Sequence, residues 1–110
     1  MNDCKKLLEM GLTIKGTPFM TIAELKQCIS FFWDNRVYVQ TMEVHEIEGK
    51  QSYTNFSLGI HGLDGELNME VHKDVNKAFS LLKKKILMAE KSTAEIRCIV
   101  WLDDWPASTP

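Results

Sequence analysis

The sequence has almost no surplus of charge in either direction. Thirteen basic and 15 acidic residues leave a net charge of −2 over 110 residues. The basic excess of a nucleic-acid binder is missing, so nucleic acid is not an expected partner. Long apolar runs are missing as well: nothing approaches the ~18 residues of a membrane helix. The opening MNDCKKLLEMG is too interrupted in its apolar residues to read as a secretion signal. No membrane association is expected. Proline occurs only three times, at Pro18, Pro106 and Pro110, and no repeat, low-complexity segment or internal linker divides the chain. The three cysteines, Cys4, Cys28 and Cys98, are far apart. There is no C-x-x-C pair, and an odd count does not make a disulfide framework. The expectation is reduced thiols in a cytoplasmic protein, with Cys28 and Cys98 acting as small core hydrophobes. Phosphate-loop, dinucleotide and nucleophile-elbow motifs are all absent, and no cofactor is expected.

What is present is ordinary globular material. The hydrophobic share is 45% and the charged share 25%, enough for one compact domain. Residues 3–10 read as a short helix closed by Gly11. "LTIKG" is a short strand or an extended linker. A firmer helix starts at Thr21, where T-x-x-E to Glu24 forms a capping box. It runs through "TIAELKQCISFFWDN" with Ile22, Leu25, Ile29, Phe32 and Trp33 on one face and Phe31 opposite. "RVYVQTMEVHEIEGK", "YTNFSLGIHG" and "ELNMEVH" carry strand composition, with turns at Gly49 and at Asp64-Gly65. A helix from Asp74 to about residue 91 has the stripe Val75, Ala78, Phe79, Leu82, Ile86 and Ala89. "AEIRCIVWLD" is the last strand. The fold class is therefore α+β: a mostly antiparallel sheet of about four strands, with helices packed on one face. Residues 1–104 form a single domain, and 105–110 are expected to be a flexible tail.

Alternation sorts the candidate site. With a two-residue turn at Asp64-Gly65, Phe56, Leu58, Ile60, Leu67, Met69 and Val71 share one face. Ser57, Gly59, His61, Asn68, Glu70 and His72 share the other. Carrying the register through Gly49-Lys50 brings Val37, Val39 and Thr41 to the first face. Tyr38, Gln40, Met42 and Val44 then join the second. In the last strand Ile96, Cys98, Val100 and Leu102 face the helices, while Arg97, Ile99 and Trp101 do not. Glu43 and His45 form another histidine–carboxylate pair in an ordinary strand.

The second face mixes aromatic and apolar side chains with histidine and carboxylate, a composition closer to a contact surface than to a solvated one. The candidate binding residues are Tyr38, Gln40, Met42, Ser57, His61, Asn68, Glu70, His72, Ile99 and Trp101. Three readings follow. The first is a small non-catalytic binding or regulatory module that uses this face for homodimerisation, a partner protein or a small ligand. The alternative covering of that face is by this chain's own first helix or tail. The second reading is a metal-dependent or acid–base enzyme using His61, Glu70 and His72, for which three ligands would have to converge. The third is an acidic inhibitor of a basic or nucleic-acid-processing partner. Asp103-Asp104 beside Trp101 and Trp105 reads as a charged strand exit. The lysine run 83–85 reads as a solvated helix face.

Overall fold

The computed structural model describes residues 2–61 and 75–105. Among them are four helices: α1 (Asn2–Gly11), α2 (Ile22–Gln27), α3 (Ile29–Asp34) and α4 (Val75–Glu90). Three strands, β1 (Val37–Glu48), β2 (Gln51–Thr54) and β3 (Glu95–Asp104), pair antiparallel in the order β2-β1-β3. The class is α+β. The described sheet has three strands rather than about four, because the Asp64-Gly65 turn and the strand expected at 66–72 lie outside the described residues. No described helix is long and apolar enough to cross a membrane.

The helices start where local chemistry predicts. Glu24 N–H donates to the Thr21 hydroxyl at 3.1 Å, and Thr21 N–H donates to Glu24 Oε1 at 2.9 Å. Each satisfies a backbone donor that the first helical turn would otherwise leave open. The expected single helix is broken at Cys28, which ends α2 and begins α3. The break turns the stripe. Trp33, expected inside, is 40% exposed, while Phe31, expected outside, packs partly against the core. In α4 the buried set is Val75, Ala78, Phe79, Leu82, Ile86 and Ala89, the stripe that the 3.6 period predicts.

Cys4 and Cys28 form a disulfide with a Cα–Cα separation of 5.3 Å. This corrects the expectation of three reduced thiols and removes the ground on which a cytoplasmic location was expected. The bond joins α1 to the α2–α3 junction across 24 residues of sequence. Cys98 is free and buried, as expected of a small core hydrophobe.

One irregularity reorganises the sheet. Val37 and Val39 pair with Asp104 and Leu102, but Thr41 pairs with Trp101, so Gln40 is an extra residue in the ladder. A bulge of one residue reverses the side-chain parity of everything beyond it. Met42 and Val44, expected on the second face, are therefore in the core at 1% and 0% exposure. They lie opposite Val100 and Cys98. Thr41, expected among the helix-facing residues, moves to the second face. The alternation of β3 holds: Ile96, Cys98, Val100 and Leu102 are buried, and Arg97, Ile99 and Trp101 are intermediate. The buried strand residues join Leu25, Phe32, Phe79, Leu82 and Ile86 in one hydrophobic cluster.

Both edges of this small sheet are occupied over part of their length, which removes unpaired backbone that would otherwise invite another chain. Asn55 N–H still donates to Val44 O at 2.8 Å; residues 56–59 then leave the ladder, and the chain returns at Ile60 to bridge Met42. Phe56, expected on the covered face, lies on this excursion and is 70% exposed. On the far edge the segment "LTIKG" is turn rather than strand. The residues after it run along β3. Thr17 N–H donates to Val100 O at 3.1 Å, and Met20 and Cys98 exchange backbone bonds at 2.9 and 2.8 Å. Trp105, the first residue of the expected tail, donates its backbone N–H to Arg36 O at 2.9 Å and its indole N–H to Val37 O at 3.2 Å.

Candidate functional site

The second face of the sheet is built by alternation from the bulge onward. Thr41, Glu43 and His45 on β1 stand opposite Trp101, Ile99 and Arg97 on β3. The Met42–Ile60 bridge sets His61 beside Thr41 at the other edge.

Its central polar element is a pair two residues apart on β1. His45 Nε2 lies 2.6 Å from Glu43 Oε1. A carboxylate can only accept here, so Nε2 carries the hydrogen. The His45 side chain is only 12% exposed. The Phe19 ring meets its imidazole edge-on at 5.1 Å. Its Nδ1 is buried with no hydrogen-bond partner among the described residues. Arg97, opposite His45, turns back to its own strand, with NH1 on Ile96 O at 2.9 Å and NH2 3.4 Å from Glu95 Oε1.

Part of this face is covered from within the chain, by the segment that leads from the first helix to the edge of the sheet. The Trp101 indole donates to Ile14 O at 2.9 Å. It lies so close to Gly16 that a Cβ there would fall 2.7 Å from the ring. Gly16 has φ +74°, a left-handed conformation that glycine tolerates. The 12–20 segment thus lays its backbone over Trp101 and its Phe19 over His45. Phe19 keeps 52% of its surface in solvent.

At the opposite edge, the excursion and the sheet enclose a cleft of about 310 Å³ between Glu43, Thr54, Phe56, Ile60 and His61. The excursion is held from inside. Asn55 Oδ1 accepts from the Ser57 hydroxyl at 2.8 Å and from Leu58 N–H at 3.2 Å. His61 Nε2 donates to Phe56 O at 2.6 Å, and Lys85 Nζ donates to Ser57 O at 2.8 Å.

The ten candidate residues therefore separate. His61, Ile99 and Trp101 lie on the second face. Met42 is in the core, and Tyr38 is buried at 4% exposure between two buried valines, so neither offers a contact surface. Gln40 sits at the bulge, and Ser57 is on the exposed excursion. Asn68, Glu70 and His72 lie outside the described residues, and with them two of the three groups proposed for a metal or acid–base site. No group of three or more His, Cys, Asp or Glu residues that could hold a metal is found among the described residues. Asp103 and Asp104 are exposed at the strand end, Asp104 N–H donating to Asp103 Oδ1 at 2.9 Å.

Sequence reasoning missed the roles of Glu43, His45 and Phe19. Glu43 and His45 are recognisable as a pair, but their face depends on the bulge. Phe19 reaches the site only through the edge pairing of Met20.

Chemically, the Glu43–His45 pair suits orientation and recognition better than proton transfer. Its Nε2 is engaged and its Nδ1 is out of solvent. The free thiol nearest in register, Cys98, is on the core face opposite Val44. Burial, reinforced by the Glu24 carboxylate, pushes that thiol up to about 12, out of the range of a nucleophile at neutral pH. No protein-family model, curated protein or solved structure matches the chain.

Proposed function

We propose that the chain is a small non-catalytic binding module, that its helices pack on one face of the sheet, and that the other face is its contact surface. Two copies joined sheet to sheet about a two-fold axis are the arrangement this reading favours. The observation that carries it is the composition of the half-covered face. Ile99 and Trp101 alternate with four buried residues of β3 yet keep partial exposure. They stand among Thr41, Glu43 and His45, beside a Phe19 ring that is 52% exposed. Apolar side chains interrupted by a few fixed polar groups are the ordinary make-up of a protein contact.

Ile99→Arg together with Phe19→Asp places charge opposite Glu43 and against the His45 ring without entering the core. The expected result is a dimer mass for the wild type by light scattering and a single-chain mass for the folded double variant. A wild type that stays at single-chain mass across a wide concentration series rules out the dimer. A second reading is favoured by the cleft beside Phe56 and His61, whose volume of about 310 Å³ is at the lower end for small-ligand sites. In that case a screen of small molecules raises the melting temperature of the wild type but not of a His61→Leu variant. Equal shifts in both proteins count against a ligand at the cleft.

A further inference from the structure

A different surface has the marks of a docking groove. The helix pair α2–α3 and the helix α4 leave a trough between them. One end, of about 350 Å³, is lined by Ile29, Trp33, Asp34, Phe79 and Lys83. The other, of about 270 Å³, is lined by Lys26, Ile29, Lys83, Ile86, Leu87 and Glu90. Ile29 and Lys83 line both hollows, so the two adjoin there. Its apolar lining reaches solvent, with Leu87 58% exposed and Trp33 40% exposed.

Charge says what fits there. Residues 75–91 hold five lysines and one glutamate, a net +4 in a chain of net −2, so the other residues carry −6. At the end beside α2, Lys26 is neutralised by Glu90 at 3.0 Å. Lys83, midway along, makes no ion pair or hydrogen bond among the described residues. Among the described residues the trough therefore presents an open cation at its centre, with the Asp34 carboxylate at one end and the neutral Lys26–Glu90 pair at the other.

We propose that this groove docks an amphipathic helix of a partner protein whose apolar stripe carries acidic residues at mid-length. From Asn76 to Glu90 the α4 wall runs about 21 Å, or four turns of helix. Leucine-like side chains at i, i+4, i+7 and i+11 fill the two hollows, and a central carboxylate meets Lys83. A strand is a poor fit, because both walls are helix surfaces whose backbone bonds are already closed and offer no ladder. A phosphate backbone is disfavoured because a continuous line of negative charge would meet the Asp34 carboxylate at one end and no free cation at the other.

The test is titration of the whole protein with a capped helical peptide of about sixteen residues, matched to the groove at 1.5 Å per residue. The peptide carries leucines on one stripe and glutamates at mid-length. Tryptophan emission and peptide anisotropy are the readouts. The comparison probes are the same peptide with lysine in place of glutamate, a scrambled peptide, and a single-stranded RNA. The expected result is saturable binding of the acidic peptide alone. Lys83→Glu and Leu87→Glu should each weaken it about tenfold, the scale of losing one anchoring contact. Both positions are exposed, and circular dichroism checks that the variants remain folded. Three results overturn the proposal: equal binding of the scrambled peptide, binding undiminished in both variants, or tighter binding of the RNA.

Discussion

Breaking the Cys4–Cys28 bond should cost this chain a large share of its stability. The bond closes a loop across 24 residues of sequence. In the chain-entropy view, opening such a loop in the unfolded state is worth roughly 3.5 kcal/mol, against 5–15 kcal/mol for a whole small domain. For a chain of this length that corresponds to a fall in melting temperature of roughly 15 °C. The damage should begin in α1. That helix has ten residues, fewer than the ~12–15 that hold a helix unaided in water. Besides Cys4, its buried anchors are Leu7 and the close packing of Gly11 on Leu102. Burying one leucine gives about 2 kcal/mol, whereas ordering a backbone costs about 1 kcal/mol or more per residue.

The assay is chemical unfolding with and without reductant, paired with a Cys4→Ala/Cys28→Ala variant and amide exchange over residues 2–11. The oxidised protein, denatured without reductant, should titrate one thiol per chain, that of Cys98. The reduced protein and the double variant should unfold at clearly lower denaturant, with α1 amides losing protection first. Three titratable thiols in the protein as purified, or a double variant within about 0.5 kcal/mol of the parent, the ordinary scatter of surface substitutions, would refute the reasoning.

The remaining predictions are local. Hydrogen bonds from the Thr21 backbone and hydroxyl hold the Glu24 carboxyl below its ordinary value of 4.5. A depressed carboxyl stabilises the fold above that value and loses the contribution as pH falls through the native one. Thr21→Ala should therefore cost about 1 kcal/mol at neutral pH, and urea unfolding should show the gap narrowing in acid. Gly16→Ala meets both a φ of +74° and the Trp101 ring, whereas Gly49→Ala meets a φ of +62° and open space. The second should cost about 1 kcal/mol and the first distinctly more, and thermal melts of the two separate contact from conformation. Deleting Gln40 should leave a folded protein with an intact thiol at Cys98, since it turns the bulged ladder into a regular one with Val39, Met42 and Val44 still inward. Deleting Glu43 instead should abolish cooperative unfolding.

How much of this was legible depends on the range of the interaction that decides it. The capping box at Thr21 and the stripe of α4 are set within four residues of sequence, and both read correctly. So did β3, which alternates without interruption from Ile96 to Leu102. The break at Cys28 did not. Nothing in "LKQCISFF" forbids a helix, and the turn there coincides with the residue tied to Cys4. The pairing itself was invisible for a similar reason. Spacing along the chain carries no information about whether α1 folds back onto the α2–α3 junction.

The sheet shows why alternation assigned some residues to the wrong face. A period of two has no memory: one extra residue reverses every later assignment. Gln40 is that residue, in a stretch, "VYVQTMEV", where either parity places apolar side chains inside. Read without the bulge, the core side holds Val37, Val39 and Thr41 and the outer side Met42 and Val44. Read with it, Val37, Val39, Met42 and Val44 lie together and Thr41, Glu43 and His45 lie outside. The second arrangement buries four apolar side chains instead of two and a threonine. At about 1.5–3 kcal/mol for each large apolar side chain brought in from water, the difference exceeds the loss of one ladder bond at about 1 kcal/mol. The bulge is the lower-energy solution for this sequence. It is also what brings Glu43 and His45 to the surface on which the proposed contact rests.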